Sequence, residues 1–210
     1  MAATNILKID NLAFERNDML LFEPVSFELN SGEAMHIEGA NGAGKTTLFQ
    51  ILIKILEPCS GSLNFRGQNF SECHFEYLSD ILYIGHQSGV KAALTVEENL
   101  RWMSPDNTST KKITSALQSV GLQHYANIPC YRLSAGQHRR VALARLITTK
   151  ASLWYLDEPF AALDKEGVAF IEDCMQNHLN QGGAIVFSSH QDTVKIVARS
   201  YRLTPFREVA

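Results

Sequence analysis

The run Gly39-Ala40-Asn41-Gly42-Ala43-Gly44-Lys45-Thr46-Thr47 has the residue types and spacing of a loop that grips phosphate. Its glycines let consecutive backbone N–H groups converge into an anion-binding nest, and a helix opening just after them adds its positive dipole end. In such a loop Lys45 reaches the β- and γ-phosphates of a nucleoside triphosphate, and the Thr46 hydroxyl ligates magnesium. The pattern arises by chance in roughly one chain in a hundred of this length, so the alternative is a glycine-rich turn with no ligand. A second candidate is Asp157-Glu158, closing the apolar run Leu153 to Leu156. Carboxylates at the C-terminal edge of a buried strand stand where α/β sheets bind ligands. There Asp157 suits a magnesium held through water opposite Thr46, and Glu158 suits a group that orients or deprotonates an attacking water. Taken alone, an acidic pair at that place is a helix-start feature. A third candidate is Leu133-Ser134-Ala135-Gly136-Gln137. Ser134 is either a plain helix N-cap, or Ser134, Ala135, Gly136 and Gln137 open a second phosphate-binding helix aimed at a nucleotide on another subunit.

Elements must hold these groups in place, and the flanking patterns supply them. Ala34 to Glu38 alternates as a half-buried strand, and Leu48 to Leu56 reads as a buried helix ending before Pro58. Ile6 to Phe14 and Val25 to Leu29 also alternate, with turns at Asn17-Asp18 and Asn30-Ser31-Gly32, giving an N-terminal β-rich layer. Gly61 to Gly67 and Ile81 to Gly85 are two further strand-like runs. Thr95 with Glu98 forms a capping box for a helix through Trp102, broken at Ser104-Pro105, and a second helix from about Ser109 stops at Gly121. Residues from about 88 to 150 therefore read as a helical lobe inserted into an α/β core, and Gly136 to Thr149 as one periodic helix. A helix from Lys165 to Leu179, the strand Ala184 to Phe187 and a last helix beginning near Gln191 complete the chain. Strands alternating with helices imply a parallel sheet.

Composition narrows the function classes. With 210 residues and 45% hydrophobic content the chain can bury a full core. A formal net charge of −3, with Lys111-Lys112 and Arg139-Arg140 as the adjacent basic pairs, argues against a nucleic-acid footprint. Cys59, Cys73, Cys130 and Cys174 are scattered without a metal-binding or haem-attachment spacing, as suits a reducing compartment. The sequence lacks the apolar core of a signal peptide and any run long enough to span a bilayer, so the expectation is a soluble, cytoplasmic protein that meets a membrane only through a partner.

In combination these motifs resemble the ATP-binding cassette (ABC) transporter ATPases, from about Ile6 to Arg202: the phosphate loop, Gln87, L-S-A-G-Q, L-W-Y-L-D-E-P with Ala161-Ala162-Leu163-Asp164, and His190, in that order. The resemblance implies a P-loop NTPase fold of the ABC type over 1–210, with an N-terminal antiparallel β layer and an inserted helical lobe. It implies ATP and Mg2+ as ligands, and a homodimer in which each ATP lies between Gly39–Thr47 of one subunit and Ser134–Gln137 of the other. By the same resemblance, Gln87 touches magnesium or the attacking water and couples to a membrane subunit. His190 contacts the γ-phosphate and steadies Glu158, and Ala161–Asp164 crosses the dimer interface. The chain departs from the common pattern at Ala135, where glycine is usual, and at Ala161, where serine is common. The aromatic that stacks on adenine falls by spacing at Arg16, with Phe14 two residues earlier; an arginine plane also stacks on a base.

A finer resemblance comes from I-G-H-Q at Ile84 to Gln87, T-V-E-E-N-L at Thr95 to Leu100, and the extended L-S-A-G-Q-H-R-R-V-A-L-A-R-L segment. These are similar to the cytochrome c biogenesis ATPase family CcmA. That implies a CcmB-like integral membrane partner on the cytoplasmic face of the bacterial inner membrane, and haem export or release of a haem-loaded chaperone. The cassette itself is not expected to bind haem, with His36, His86 and His138 as structural or surface residues. Two competitors remain: the motor of another small ABC transporter with a different substrate, and a non-transport cassette acting on DNA or ribosomes. The second ranks far behind, since the chain has no tandem cassette, coiled-coil insertion or basic surface.

Overall fold

The computed structural model describes residues 4–191 and 193–206. In chain order its strands are β1 (Asn5–Ala13), β2 (Glu15–Arg16), β3 (Met19–Leu20), β4 (Val25–Asn30), β5 (Ala34–Glu38), β6 (Ser60–Phe65), β7 (Gln68–Asn69), β8 (Ile81–Ile84), β9 (Leu153–Asp157), β10 (Ala184–Ser188) and β11 (Arg199–Arg202). The α-helices are α1 (Lys45–Leu52), α2 (Phe70–Ser79), α3 (Val96–Trp102), α4 (Thr110–Ser119), α5 (Ala135–Leu143), α6 (Arg145–Thr148) and α7 (Lys165–Asn180). An antiparallel sheet of order β4-β1-β6-β7 lies beside a parallel sheet of order β11-β5-β10-β9-β8. Strict alternation along β4 buries Val25, Phe27 and Leu29 and exposes the residues between them, as expected of a sheet with one wet face. In β9 and β10 every residue is buried. Leu153, Tyr155, Ala184 and Val186 face a core shared with α1 and the antiparallel sheet. Trp154, Leu156, Ile185 and Phe187 face a second core that includes Ile171 and Met175 of α7. Burying each large apolar side chain is worth about 1.5–3 kcal/mol, so the two-sided strands anchor the site at their ends.

Between β8 and β9 the helices α3 to α6 close on a third cluster, including Val96, Leu100, Ile113, Leu117 and Val141. Thr95 and Glu98 form the reciprocal capping box of α3. Ser109 caps α4, and Gly121 follows it at a φ of 71°.

Several expectations need correction. The helix after the phosphate loop begins at Lys45 and ends at Leu52, and Lys54 reverses the chain at a φ of 62°. The periodic run after Ser134 divides into α5 and α6 around Ala144. Helix α2, capped by Asn69 and seated on Cys73 and Tyr77, had no counterpart in the sequence reading. No helix begins near Gln191 among the described residues; Asp192 lies outside them. The buried Glu172 carboxylate of α7 instead accepts from the backbone N–H groups of Val194 (2.6 Å) and Lys195 (3.4 Å). That leaves Val194 and Val197 90% and 93% exposed, and the chain runs on into β11, parallel to β5.

Candidate active site

The site is assembled at one edge of the parallel sheet. Because β5, β10, β9 and β8 run in the same direction, their C-terminal ends lie together. The segments that follow them carry the phosphate loop, His190, Glu158 and Gln87 respectively. Gly44 stands at the mouth of α1 at a φ of 97°, and a Cβ there would meet the Phe22 ring at 2.8 Å, so glycine is required. Among the described residues no side chain caps α1, which leaves the first N–H groups of the helix facing the loop. The Lys45 ammonium lies across that loop, donating to the Gly39 carbonyl at 2.7 Å and the Ala40 carbonyl at 3.4 Å.

Asp157, the last residue of β9, is 1% exposed. Its Oδ2 accepts from the Thr46 hydroxyl at 2.8 Å, and its Oδ1 from the Ser188 hydroxyl at 2.8 Å. Ser188 stands opposite Asp157 in the register of β10 and β9, and its hydroxyl oxygen also accepts from the Glu158 N–H at 3.1 Å. An oxygen-only pair, one hydroxyl and one buried carboxylate, suits a hard ion such as magnesium, which keeps most of its water beside phosphate. Glu158 occupies the left-handed region at a φ of 53°, a conformation costing a non-glycine residue about 1–3 kcal/mol. Its Oε1 is buried without a hydrogen-bond partner among the described residues. The His190 ring stands beside it, with Nε2 3.5 Å from Oε1. The His190 backbone N–H donates to the other oxygen at 3.3 Å.

A cavity of about 530 Å3 opens over these groups. It is lined by Ala40, Asn41, Gly42, Gly44, Lys45, Thr46 and Thr47 of the loop, by Asp157, Glu158 and His190, and by Arg16. Gly39 and Ala43 form the back of the loop, with Ala43 buried. Phe14 packs into the core instead. Gln87 is exposed and lines an adjacent groove with Ala135, Ala161 and Ala162, while its neighbour His86 borders both the groove and the cavity. Ser134 caps α5 with its hydroxyl accepting from the Gln137 N–H at 3.2 Å, and the Gln137 side-chain oxygen accepts from the Ser134 N–H at 2.9 Å. Ser134, Gly136 and Gln137 do not line the cavity of their own chain.

Three residues here escaped sequence reading. Ser188 is the hydroxyl that joins Asp157 to Glu158, and its position as the last residue of the buried run after Ala184 was the available signal. His86 reaches the cavity. Arg139 is buried beneath it, where burial lowers the pKa of the guanidinium and the Asp157 and Glu158 charges oppose that shift. Tyr83, also beneath the site, has its hydroxyl pKa pushed up to about 12, chiefly by burial and then by Asp157.

The ABC transporter family matches residues 22–161 of the chain. The "Cytochrome c biogenesis ATP-binding export protein CcmA" of Hahella chejuensis is 47% identical over 189 residues, covering 89% of this chain and 90% of that protein. The protein of the same description from Pseudomonas putida KT2440 is 45% identical, covering 88% and 89%. Among solved structures, one described as "Structure of ATP binding subunit of ABC transporter" superposes with a TM-score of 0.80 at 24% identity, covering 88% of this chain and 79% of the other.

Proposed function

The chain belongs to the ABC transporter ATPases, among the cytochrome c biogenesis ATP-binding export proteins, and on that footing we propose how it works. It is an ATP hydrolase, the motor subunit of an exporter serving cytochrome c biogenesis. The exported species we take to be haem, or a haem-loaded chaperone released by the same stroke. Gly39 to Thr47 wrap the triphosphate with backbone N–H groups, Lys45 neutralises its outer phosphates, and Arg16 stacks on the base. Thr46 and Asp157 hold magnesium, which when bound offsets charge on the phosphates. Glu158 takes or orients the proton of the attacking water, and His190 steadies that carboxylate beside the γ-phosphate. Gln87 lines the neighbouring groove, and we read it as touching magnesium or the attacking water and coupling to the membrane subunit.

We read residues 1–210 as one cassette, with the helical lobe over about 88–150. Since Ser134 to Gln137 lie away from their own cavity, a second copy supplies them, as a homodimer. Among the described residues no helix is long and apolar enough to cross a membrane, and we assign the protein to the cytoplasmic face of the inner membrane, bound to a CcmB-like integral subunit.

One observation carries the hydrolytic reading. The Thr46–Asp157–Ser188 hydroxyl–carboxylate chain fixes the backbone of Glu158, whose own Oε1 has no hydrogen-bond partner among the described residues. Glu158→Gln keeps size and polarity but removes the basic oxygen. Turnover is expected to fall by about 100-fold or more, with Mg-ATP affinity unchanged in an equilibrium titration. Hydrolysis by this variant at the unmodified rate would reject the role.

A further inference from the structure

Arg139, in the middle of α5, is 5% exposed, and its hydrogen bonds go to main-chain carbonyls. One Nη donates to Gly85 at 2.6 Å; the other donates to Asp157 at 3.2 Å and to Glu158 at 2.6 Å. A buried guanidinium is costly, and an apolar side chain of similar volume would fill the same space with less desolvation, so packing alone does not explain it. Part of its environment is edge covering. Among the described residues β8 pairs only with β9, and Arg145 donates to the carbonyl of Tyr83 in β8 at 3.0 Å much as Arg139 donates to that of Gly85 just beyond it. Arg139 differs from Arg145 in also gripping the two carbonyls that bracket the Glu158 residue. The Ser188 hydroxyl holds the N–H of that residue and Arg139 its C=O. With both ends fixed, the unfavourable left-handed turn at Glu158 is maintained, and its direction decides where the carboxylate points.

We propose that Arg139 is a positioning residue for hydrolysis: it holds the Glu158 backbone so that the carboxylate faces the cavity, and it ties that turn to Gly85, at the root of the segment bearing His86 and Gln87. The proposal rests on the reading of Glu158 as the group that acts on water, and deepens it. A displacement of that segment would pull on the Glu158 carbonyl through one rigid, planar group, since Gly85 and Glu158 share the same guanidinium.

The test compares the full chain with Arg139→Met, Arg139→Lys and Glu158→Gln, measuring steady-state kcat and KM, Mg-ATP affinity by equilibrium titration, and thermal melting. Arg139→Met is expected to lower kcat by about 10- to 100-fold, while Mg-ATP affinity stays within about threefold. That split marks an interaction realised in the transition state and not in ground-state binding. Arg139→Lys keeps the charge but not the fork, and should recover part of kcat. A folded Arg139→Met with unchanged kcat overturns the proposal, as does a loss of affinity in proportion to the loss of rate. Should Arg139→Met fail to fold, Arg139→Lys decides alone: reduced kcat at unchanged affinity supports the proposal, and full kcat overturns it. If Glu158→Gln abolishes turnover while the Arg139 variants match the unmodified protein, only the positioning role fails. If Glu158→Gln retains full activity, the underlying reading fails and this one with it.

Discussion

At the scale of single residues, the base-binding corner shows how one or two positions separate a ligand contact from a core contact. Spacing left Arg16 and Phe14 as rivals. In the fold β1 ends at Ala13 and the chain turns through Asn17 and Asp18, at φ values of 54° and 60°, to pair Glu15 and Arg16 with Leu20 and Met19. Two consecutive positive φ values match the tight hairpin turns that asparagine and aspartate tolerate. The polar turn was visible in the sequence, but the two-residue strands on either side were too short to give a period. The hairpin carries Arg16 to the cavity, while Phe14 stays against the core. The two substitutions should therefore separate cleanly. Arg16→Ala is expected to weaken ATP binding several-fold, at about 1 kcal/mol for a lost cation–π stack, without moving the melting temperature. Phe14→Ala should lower stability by about 2 kcal/mol from lost burial and leave affinity nearly intact. Titration and melting of both proteins check this, and an affinity loss confined to Phe14→Ala would reverse the assignment.

At the scale of elements, long periodic segments and strong caps were legible, and elements decided by distant partners were not. The capping box of α3 and the Ser109 cap of α4 lie wholly within a few adjacent residues. The segment after Gln191 was misread because its valines suggest a helical face, while the groups that set its path are the Glu172 carboxylate on α7 and the edge of β5. Helix α2 was missed for a related reason: its buried residues Cys73 and Tyr77 make a narrow stripe, and Tyr77 is fixed by Leu52 and Tyr155, both remote in sequence. The contact between α7 and β9 has a pH signature. The His178 ring stacks on Trp154 at a centroid distance of 3.8 Å and meets the Ser152 carbonyl at 3.1 Å. Burial lowers its pKa below the ordinary 6.5, against the Ser152 and Ala184 backbone and the charge of Asp80; Lys112 and Lys150 line the same cavity. As pH falls through 6.5 the unfolded chain takes up this proton first, so folding stability declines, and it levels off once the folded form is protonated too. The slope from this one site is at most about 1.4 kcal/mol per pH unit. Chemical denaturation of the unmodified protein and of His178→Gln between pH 7.5 and about 5 should show the variant losing less stability on acidification. Parallel pH dependences would remove His178 from the account.

At the scale of the whole molecule, the two sheets and the helical lobe place the phosphate loop and the start of α5 in separate places. The loop and Glu158 line one cavity, whereas Ala135 lines the adjacent groove with Gln87, Ala161 and Ala162, and Ser134 and Ala135 are exposed. The motifs themselves were plain in the sequence, but their separation in one protomer is a property of the assembled fold, because α5 packs Val141 on the cluster around α3 and α4 and Ala142 and Leu143 on the core shared with α7, while α1 belongs to the core between the sheets. The proposed homodimer would resolve this, since an isologous contact that brings α5 of one copy over the loop of the other does so twice. In the homodimer proposed above, the start of α5 would present its dipole to a γ-phosphate bound by the other copy, and closure would depend on that phosphate being present. The Glu158→Gln protein, which preserves ATP, is therefore expected to dimerise at least about tenfold more tightly with Mg-ATP than with Mg-ADP, a difference of about 1.4 kcal/mol, by light scattering across a dilution series. Ser134→Arg in that background should still bind Mg-ATP at the loop of its own chain yet remain monomeric, because the added side chain fills the approach to the partner's phosphates. Equal dimerisation with either nucleotide, or an unimpaired Ser134→Arg dimer, would show that the copies meet through some other face and that each protomer completes its nucleotide site alone.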